Sequence, residues 1–531
     1  MISLRRQPAA PGLAARDFVD SVLRPVALQT DTNGQIPDDV VTSMQRLGYF
    51  GLTIPEQFGG AGLGLVDYLE VVRELSRTNA AFQELTEENN GIGSAALLIA
   101  GSEQQKQRWL PGLASGATLG SFAVSEPNAG SDVAAIQTTA RRVPGGYRLN
   151  GTKHFITHGA AAGLVTVVAR LAPSESSKEF GLFLVTPEME GFKVGRLQPM
   201  MGYRASGQAE LVFDEVFVPD DAVLGNPGDG FRVTMKTLDR GRLTVSADCL
   251  GAAEELLDRT IAYARARKTF GYPLASRGEI RAMIAMSAID LFCLESALFE
   301  FAGRSDAGED IRSATARLKL VASEAASRVA DWAMQIHGGL GYTTEAEIER
   351  YVRDLRVLRI AEGASEVMRI AIARGFHRDL DQPSRLSAPA SLSAESDVAT
   401  ARLLQITDTM LVAQASADPD TRSLSEVRDA RLGDLAARWT MIEAATRRLD
   451  AMVRSQGASS AASVAGIGVY AAARRLAGDA VEGALLATMT SSSAEPYREV
   501  LDELGTFDMK MGTTDRLIEQ VAGSILGTAT Q

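Results

Sequence analysis

The stretch YRLNGTKHFIT (147–157) is the clearest of several strand-like runs in the middle of the chain, and GLVTVVARL (163–171) and AELVFDEVFVP (209–219) follow it. These runs are rich in β-branched and aromatic residues, and turn formers such as Pro-Gly-Gly at 144–146 separate them. Short apolar runs bounded by turn residues are typical of β-strands. The sequence therefore predicts a central β-domain, built as a barrel or a sandwich.

On both sides of this β-domain, apolar residues recur at the spacing of amphipathic helices. The stretch LTVSADCLGAAEELLDRTIAYARARK (243–268) places four of them on one face: Val245, Leu250, Leu256 and Ile261. Near residue 378 the periodicity gives way to Pro, Ser and Ala, which is typical of a linker, and it then returns. The predicted fold class is α+β and multidomain, with an N-terminal helical domain (14–118), the β-domain (119–228), a four-helix bundle (229–377), a linker (378–397) and an additional C-terminal helical domain (398–531).

Composition narrows the function classes. The net charge of −12 over 531 residues disfavours nucleic acid as a partner, because an acidic chain repels phosphate backbones. The two cysteines, Cys249 and Cys293, and the four histidines lack paired spacing, so we expect no metal site and no disulfide framework. A reducing, cytoplasmic compartment fits this cysteine usage. No secretory signal or run of about 18 apolar residues is found.

Several local motifs have both a functional and an ordinary interpretation. FAVSEPNAGSD (122–132) follows a predicted strand and exposes backbone N–H groups and hydroxyls, but its composition also suits a plain turn. RKTFG (267–271) could bind a phosphate group or could simply be a basic helix end. Glu362 could act as a catalytic base or could be a solvated acid near the start of a helix. GGAGLG (59–64) lacks the strand–helix context of a dinucleotide fingerprint, which favours a structural turn.

Three stretches, taken together, resemble the signature motifs of one known protein family. FAVSEPNAGSD, QIHGGLGYTTEAEIERYVRD (335–354) and RIAEGASEVMRIAIAR (359–374) occur in the order of the signatures of the acyl-CoA dehydrogenase family, a family of flavoproteins. The resemblance covers residues 14–376 and includes the helix–β–helix layout. The additional C-terminal domain is similar in layout to the very-long-chain branch. Because no helix there pairs a basic polar face with a bulky apolar one, packing or dimerisation is favoured over membrane binding.

The resemblance implies FAD as the cofactor. Arg267 matches an Arg that binds the pyrophosphate of the neighbouring subunit's cofactor, a task that suits the planar guanidinium fork. The enzyme is therefore expected to be a homo-oligomer, a dimer or a tetramer. Phe155 stands where the family often has Trp. The full set of implied cofactor-binding residues is Phe122, Val124, Ser125, Phe155, Thr157, Arg267, Thr269, Phe270, Gln335, Gly338, Gly339, Ala364 and Glu366.

The resemblance also implies the chemistry. Glu362 matches the base that takes the α-proton of an acyl-CoA thioester, and its backbone N–H and a ribityl hydroxyl of FAD would polarise the thioester oxygen. The β-hydrogen would leave as hydride to flavin N5, giving trans-2-enoyl-CoA, as in β-oxidation of fatty acids. Some relatives carry the base at the position of Gly241, which has no side chain here. The implied substrate-binding residues are Ser131, Asp239, Arg242, Glu88, Gly363 and Arg374.

One departure from the family pattern, together with an acid at the predicted pocket floor, leaves the substrate open. The family often has an aromatic residue where this chain has Ala361, and Glu88 would shorten the acyl pocket or serve a polar substrate. Electron-transferring flavoprotein is the expected acceptor. The alternatives are an acyl-CoA oxidase, a dehydrogenase of an acyl-carrier-protein thioester in a biosynthetic pathway, and a non-catalytic assembly protein, against which the presence of Glu362 argues.

Overall fold

The structure, a computed structural model, describes residues 5–172, 179–380, 422–456, 460–488 and 514–527, together with residues 407 and 411. Its contacts divide the chain into two compact units. The first unit is Pro8–Gly251, and the second is Ala252–Gln531 with Met1–Gln7. Each unit holds part of the residue set that the sequence singles out.

The first unit begins with the predicted helical domain. The Ser102 side chain and the Gln105 side chain cap the start of its last helix reciprocally, which satisfies backbone donors at that end. The elements are α1 (Ala10–Phe18), a π-helical turn (Val19–Leu23), α2 (Arg24–Asn33), α3 (Asp38–Arg46), α4 (Leu65–Leu75), α5 (Ala80–Asn90), α6 (Ile92–Ala100) and α7 (Glu103–Ser115).

The glycine-rich turn at 59–64 is structural. Its backbone bonds back onto the preceding loop, with Ala61 N donating to Gly51 O over 2.8 Å and Gly62 N donating to Ile54 O over 3.0 Å. A Cβ atom at Gly60 would lie 2.0 Å from the carbonyl oxygen of Ile54, so only glycine fits there. The turn therefore joins parts of the helical domain.

The predicted β-domain is a single eight-stranded sheet of order β6-β7-β3-β2-β4-β5-β8, with β1 paired to β4 in parallel. Strand β4 sends Leu164 and Val168 into one buried cluster and Val165 and Val167 into the other, as the alternation of a strand requires. The strands are β1 (Gly120–Ala123), β2 (Thr139–Val143), β3 (Gly146–Ile156), β4 (Leu164–Ala172), β5 (Phe180–Val185), β6 (Phe192–Leu197), β7 (Ala209–Pro219) and β8 (Val223–Gly228).

The second unit is helical and begins within α8 (Gly230–Ala266), whose four predicted core residues are all buried. A short hairpin of β9 (Lys268–Thr269) and β10 (Tyr272–Pro273) follows. Then come α9 (Gly278–Asp306), α10 (Arg312–His337), α11 (Ile348–Val357) and α12 (Ser365–Leu380). Helix α12 continues past the predicted start of the linker at 378, and residues 381–397 lie outside the described residues.

Helix α9 is the most apolar of these helices. Among the described residues it alone is long and apolar enough to cross a membrane, and 72% of its most apolar window is buried inside the molecule. Cys293 lies on this helix, and both it and Cys249 are buried free thiols. A helix with this burial is an ordinary core helix.

Further helices lie beyond the linker: α13 (Arg422–Gln456), α14 (Ser460–Thr488) and α15 (Thr514–Leu526). They belong to the same compact unit as the bundle. The Arg447 guanidinium of α13 donates to both carboxylate oxygens of Glu300 on α9, over 2.9 and 2.8 Å. Arg281 of α9 pairs with Glu519 of α15 over 2.7 Å. Helices α13 and α15 therefore contact the bundle through ion pairs.

Candidate active site

The loop 122–132 of the first unit begins in strand β1. The side chains of Phe122 and Val124 are buried in the core cluster shared by the sheet and the helices, which anchors the start of the loop. Ser125 is half-buried and Ser131 is exposed. His154 N donates to Ser125 O over 2.8 Å, which joins the loop to strand β3.

A buried ion pair fixes the shape of this loop. The Lys153 ammonium is fully buried and donates to Glu126 Oε1 over 2.8 Å and to Val124 O over 2.9 Å. The Glu126 carboxylate also accepts from the backbone N–H groups of Gln137 and Thr138, over 2.6 and 2.9 Å. Sequence reasoning missed this pair, although a lysine inside a buried strand was a signal for it.

Burial and ion pairing shift the pKa values of Lys153 and Glu126 in opposite directions. Burial lowers the pKa of Lys153 to about 8, and the charge of Glu126 only partly offsets that effect. Burial alone would raise the pKa of Glu126, but Lys153 and the backbone donors lower it. Glu126 is consequently ionised at neutral pH and holds the loop through charge-assisted hydrogen bonds.

The end of strand β3 carries the two predicted flavin-facing residues. The pairing of β3 with β7 shifts register between Lys153 and Ile156, and such a bulge re-aims side chains. Phe155 takes a left-handed backbone conformation, with φ of 57°, and leaves 56% of its surface exposed. A flat apolar ring held outward in this way is suited to cover one face of an isoalloxazine ring.

The Thr157 hydroxyl is held from two sides. It donates to Glu84 Oε1 over 3.1 Å and accepts from Gln208 Nε2 over 2.8 Å. The Ser121 hydroxyl donates to the Thr157 carbonyl over 2.6 Å, which fixes the backbone as well. Glu84 and Gln208 were missed at the sequence level, because they lie 73 and 51 residues from Thr157.

The predicted substrate residues of the first unit fall into two groups. Glu88 is buried on α5, one helical turn after Glu84. Burial raises the pKa of Tyr68, and the charges of Glu87 and Glu88 raise it further, so these carboxylates lie near one phenol. Apart from them, Asp239 and Arg242 of α8 form an ion pair of 2.8 Å.

In the second unit, the predicted nucleotide-binding residues are exposed. Gln335, Gly338 and Gly339 stand at the end of α10, and Arg267 stands at the end of α8. Gly338 has φ of 60° and ψ of −140°, a conformation that favours glycine. No atom lies within 4 Å of where a Cβ would stand at Gly338 or Gly339. The ends of α8 and α10 are in contact, since the Tyr263 hydroxyl donates to His337 O over 3.3 Å. An open backbone and an exposed guanidinium group on these two helix ends fit a phosphate-bearing cofactor.

The hairpin after α8 carries the other two predicted cofactor residues. Thr269 is half-buried, and its carbonyl accepts from Arg277 Nη2 over 2.8 Å. Phe270 is 93% exposed with φ of 53°, and the Arg277 guanidinium lies 5.5 Å from its ring centroid. A phenyl ring exposed to this degree is available for a cofactor or a second subunit.

Glu362 lies in the short loop between α11 and α12. Its backbone is left-handed, with φ of 56°, its side chain is half-buried and its Oε2 atom is shielded from solvent. The Lys319 ammonium, on a fully buried side chain, donates to the carbonyl of Gly363 over 2.6 Å, and Ser365 N donates to Arg359 O over 3.0 Å. A non-glycine residue in this conformation requires such support from its surroundings.

The remaining predicted residues lie in this loop or on helix α12, which follows it. Gly363 and Ala364 are half-buried beside Glu362, whereas Ala361 before it is exposed. Glu366 in the first turn of α12 and Arg374 further along the helix are exposed. In the first unit, the predicted residues thus lie on loop 122–132 with the end of β3, on α5 and on α8; in the second unit, they lie at the ends of α8 and α10, on the hairpin, and on the Glu362 loop with α12.

Comparison with known proteins identifies the family to which this chain is similar. Family models described as acyl-CoA dehydrogenase N-terminal, middle and C-terminal domains match residues 13–117, 121–216 and 228–377. An acyl-CoA dehydrogenase of Bacillus subtilis (strain 168) is 35% identical over 359 residues, which is 68% of this chain and 95% of that protein. The mitochondrial short-chain specific acyl-CoA dehydrogenase of Rattus norvegicus is 38% identical over 358 residues, 67% of this chain and 87% of that protein.

The fold comparison extends over nearly the whole chain. The crystal structure of an acyl-CoA dehydrogenase complexed with FAD from Bacillus anthracis superimposes with a TM-score of 0.86. It covers 97% of this chain and 94% of that chain at 23% identity, so it shares the fold, including helices beyond the bundle. With all three family domains present in order, the chain belongs to the acyl-CoA dehydrogenase family of FAD-dependent oxidoreductases.

Proposed function

We propose that the chain converts an acyl-CoA thioester to its trans-2-enoyl-CoA, with Glu362 as the base that removes the α-proton. One observation carries the proposal: a half-buried carboxylate stands at a left-handed backbone position whose neighbouring carbonyl is tied to the buried Lys319. A base must be held in place and partly withdrawn from water to remove so weak an acid.

The groups beside Glu362 suit this task. Gly363 and Ala364 are small and add no competing charge. The backbone N–H of Glu362 is the proposed donor to the thioester oxygen, where negative charge develops as the α-proton leaves. FAD, when bound, supplies the acceptor for the β-hydrogen.

Residues of this chain would hold FAD at two places. Phe155 would cover the ring system, while the Thr157 hydroxyl and the backbone of loop 122–132 would bond its edge. Arg267 would bind the pyrophosphate of the neighbouring subunit's cofactor, and Gln335, Gly338 and Gly339 would hold its adenosine end. Ser125 and the backbone of Val124 would contact the flavin ring, and Thr269, Phe270, Ala364 and Glu366 complete the proposed cofactor-binding set. The exposed aromatic ring and the open glycine backbone support this assignment.

The substrate side is proposed on the same grounds. Asp239, Arg242 and Arg374 would contact the CoA portion, Ser131 would lie along the acyl-CoA, and Glu88 would stand at the far end of the acyl chain. We further propose a cytoplasmic homodimer that acts in β-oxidation and passes electrons to an electron-transferring flavoprotein. Hydrogen peroxide formed stoichiometrically under air would instead identify an oxidase.

The base assignment is tested by Glu362→Gln, with Glu103→Gln as the control because Glu103 is an exposed acid on α7. We expect Glu362→Gln to retain bound FAD and to lose bleaching of the flavin by acyl-CoA, because the amide cannot accept the α-proton. The control should bleach at the wild-type rate. Near-normal bleaching by Glu362→Gln overturns the assignment.

A further inference from the structure

The loop that carries Glu362 is bridged by one carboxylate from another helix. Glu324 of α10 binds Arg359, three residues before Glu362, over 3.1 Å from Oε2 to Nη2. It binds Arg369, seven residues after Glu362, over 3.2 Å from Oε1 to Nη2. Glu324 therefore forms ion pairs on both sides of Glu362, with Arg359 before it and with Arg369 in α12 after it.

The charge of Glu324 is set by these partners. Burial alone would raise the pKa of this carboxyl, but Ser365 and the guanidinium groups of Arg359 and Arg369 lower it. Glu324 is ionised at neutral pH as a result. A partly buried ion pair with two arginines holds its geometry better than an exposed pair does.

Arg369 is in turn held by the additional C-terminal helix α13. Its Nε donates to Asp434 Oδ1 over 3.3 Å. At the neighbouring position, a Cβ on Gly433 would lie 1.9 Å from the carbonyl oxygen of Arg369. The backbones of α12 and α13 thus meet directly at this point, and only glycine allows that approach. Farther along, His377 Nε2 lies 3.4 Å from Asp429 Oδ1.

We propose that α13, which lies outside all three matched family domains, positions the catalytic loop through Gly433, Asp434, Arg369, Glu324 and Arg359. The inference rests on the proposed role of Glu362. It gives the region beyond the linker a part in the reaction, since its helix fixes the helix that follows the base. Gly433, Asp434 and Glu324 are positioning residues, because they act through the loop.

The expected effect is on the rate of proton removal. A displacement of about 1 Å at a reacting group costs on the order of 100-fold in rate. The proposed CoA and FAD contacts lie on other residues, apart from Glu366 and Arg374 on α12 and the loop itself, so a small displacement should leave FAD content and KM close to wild type. The signature of positioning is a fall in kcat with KM nearly unchanged.

The first test is Gly433→Ala in the full-length holoenzyme, with Gly478→Ala as the matched control. Gly478 lies within α14, and a Cβ there would stand 3.5 Å from Arg474 Nη1, an ordinary contact. We expect Gly433→Ala to slow flavin reduction by acyl-CoA by about 10- to 100-fold while retaining FAD, and Gly478→Ala to match wild type. A wild-type rate for Gly433→Ala overturns the proposal.

Asp434→Asn keeps the proposal testable if Gly433→Ala does not fold. Loss of this carboxylate leaves the positive charge of Arg369 less neutralised. We therefore expect kcat to be several-fold lower than in wild type, and the acidic limb of the pH–rate profile to shift to lower pH than in wild type. A wild-type rate and pH profile in Asp434→Asn overturns the proposal. If Glu362→Gln itself bleaches normally, the proposed function fails; if only the α13 variants behave as wild type, the positioning role alone fails.

Discussion

Single residues away from the proposed reaction centre set the shape of the flavin-facing loop, and Glu126 with Lys153 is the clearest case. Glu126→Gln would leave a fully buried ammonium without its charged partner, a change that costs about 3–5 kcal/mol. We expect the melting temperature to fall by on the order of 10 °C and FAD to be lost more readily. The exposed Asp132→Asn in the same loop should change neither quantity. A melting temperature equal to wild type in Glu126→Gln would refute the structural role.

The same pair predicts a pH dependence of stability. Because folding lowers the pKa of Glu126 below its ordinary value of 4.5, the pair stabilises the fold above that pH. The stabilisation is lost as the pH falls through the lowered pKa. Thermal scans from neutral pH down to well below pH 4.5 should therefore show a steeper acid loss in wild type than in Glu126→Gln, and parallel curves would contradict this prediction.

A substitution at Glu84 would test the electrostatic environment proposed for the edge of the flavin ring. Its carboxylate accepts the Thr157 hydroxyl, and Thr157 is proposed to bond the ring edge. A negative charge near the ring disfavours the addition of electrons. Glu84→Gln should therefore raise the flavin midpoint potential, by on the order of 30 mV, as measured by dye equilibration. A potential that is unchanged or lower would place Glu84 away from the flavin.

At the scale of elements, the sequence predicted the helix–β–helix order because periodicity is a local property. Val245, Leu250, Leu256 and Ile261 are buried on α8 as their spacing requires. The register shift in β3 before Ile156 was not predictable, because a bulge depends on the partner strand. The site residues came from matched motifs, whereas their supports came only from the structure.

Those supports are distant in sequence. Glu84 reaches Thr157 across 73 residues, and Lys319 reaches Gly363 across 44 residues. No local pattern marks a residue that acts on a loop so far away, since the contact arises only when helices and strands pack. The same reason hides Gly433, whose small size matters only because α12 approaches it.

The exposed aromatic residues of the β9–β10 hairpin lead to a prediction about oligomer formation. Phe270 is 93% exposed and Tyr272 is 63% exposed on this short element. Exposed aromatic residues on a two-stranded hairpin favour burial against another subunit. Phe270→Asp should shift the holoenzyme towards monomer in light scattering after gel filtration. Leu47→Asp, on a surface residue of the first unit, is the control, and an unchanged mass for Phe270→Asp would contradict the prediction.

At the scale of the whole molecule, the family domains account for residues 13–377 apart from short connections, and α13, α14 and α15 follow them. Helices α13 and α15 are bound to the bundle through Arg447, Arg281 and Arg369. The chain therefore combines the three domains of its family with added helices, of which α13 contacts the helix after Glu362.

The most direct measurement of the central claim is exchange of the α-hydrogen of an acyl-CoA with D2O, followed by mass spectrometry under anaerobic conditions. It reports proton removal itself, separately from flavin reduction. The account predicts exchange catalysed by the wild-type holoenzyme and none above background for Glu362→Gln with its FAD still bound. Exchange at the wild-type rate in Glu362→Gln would show that another group is the base.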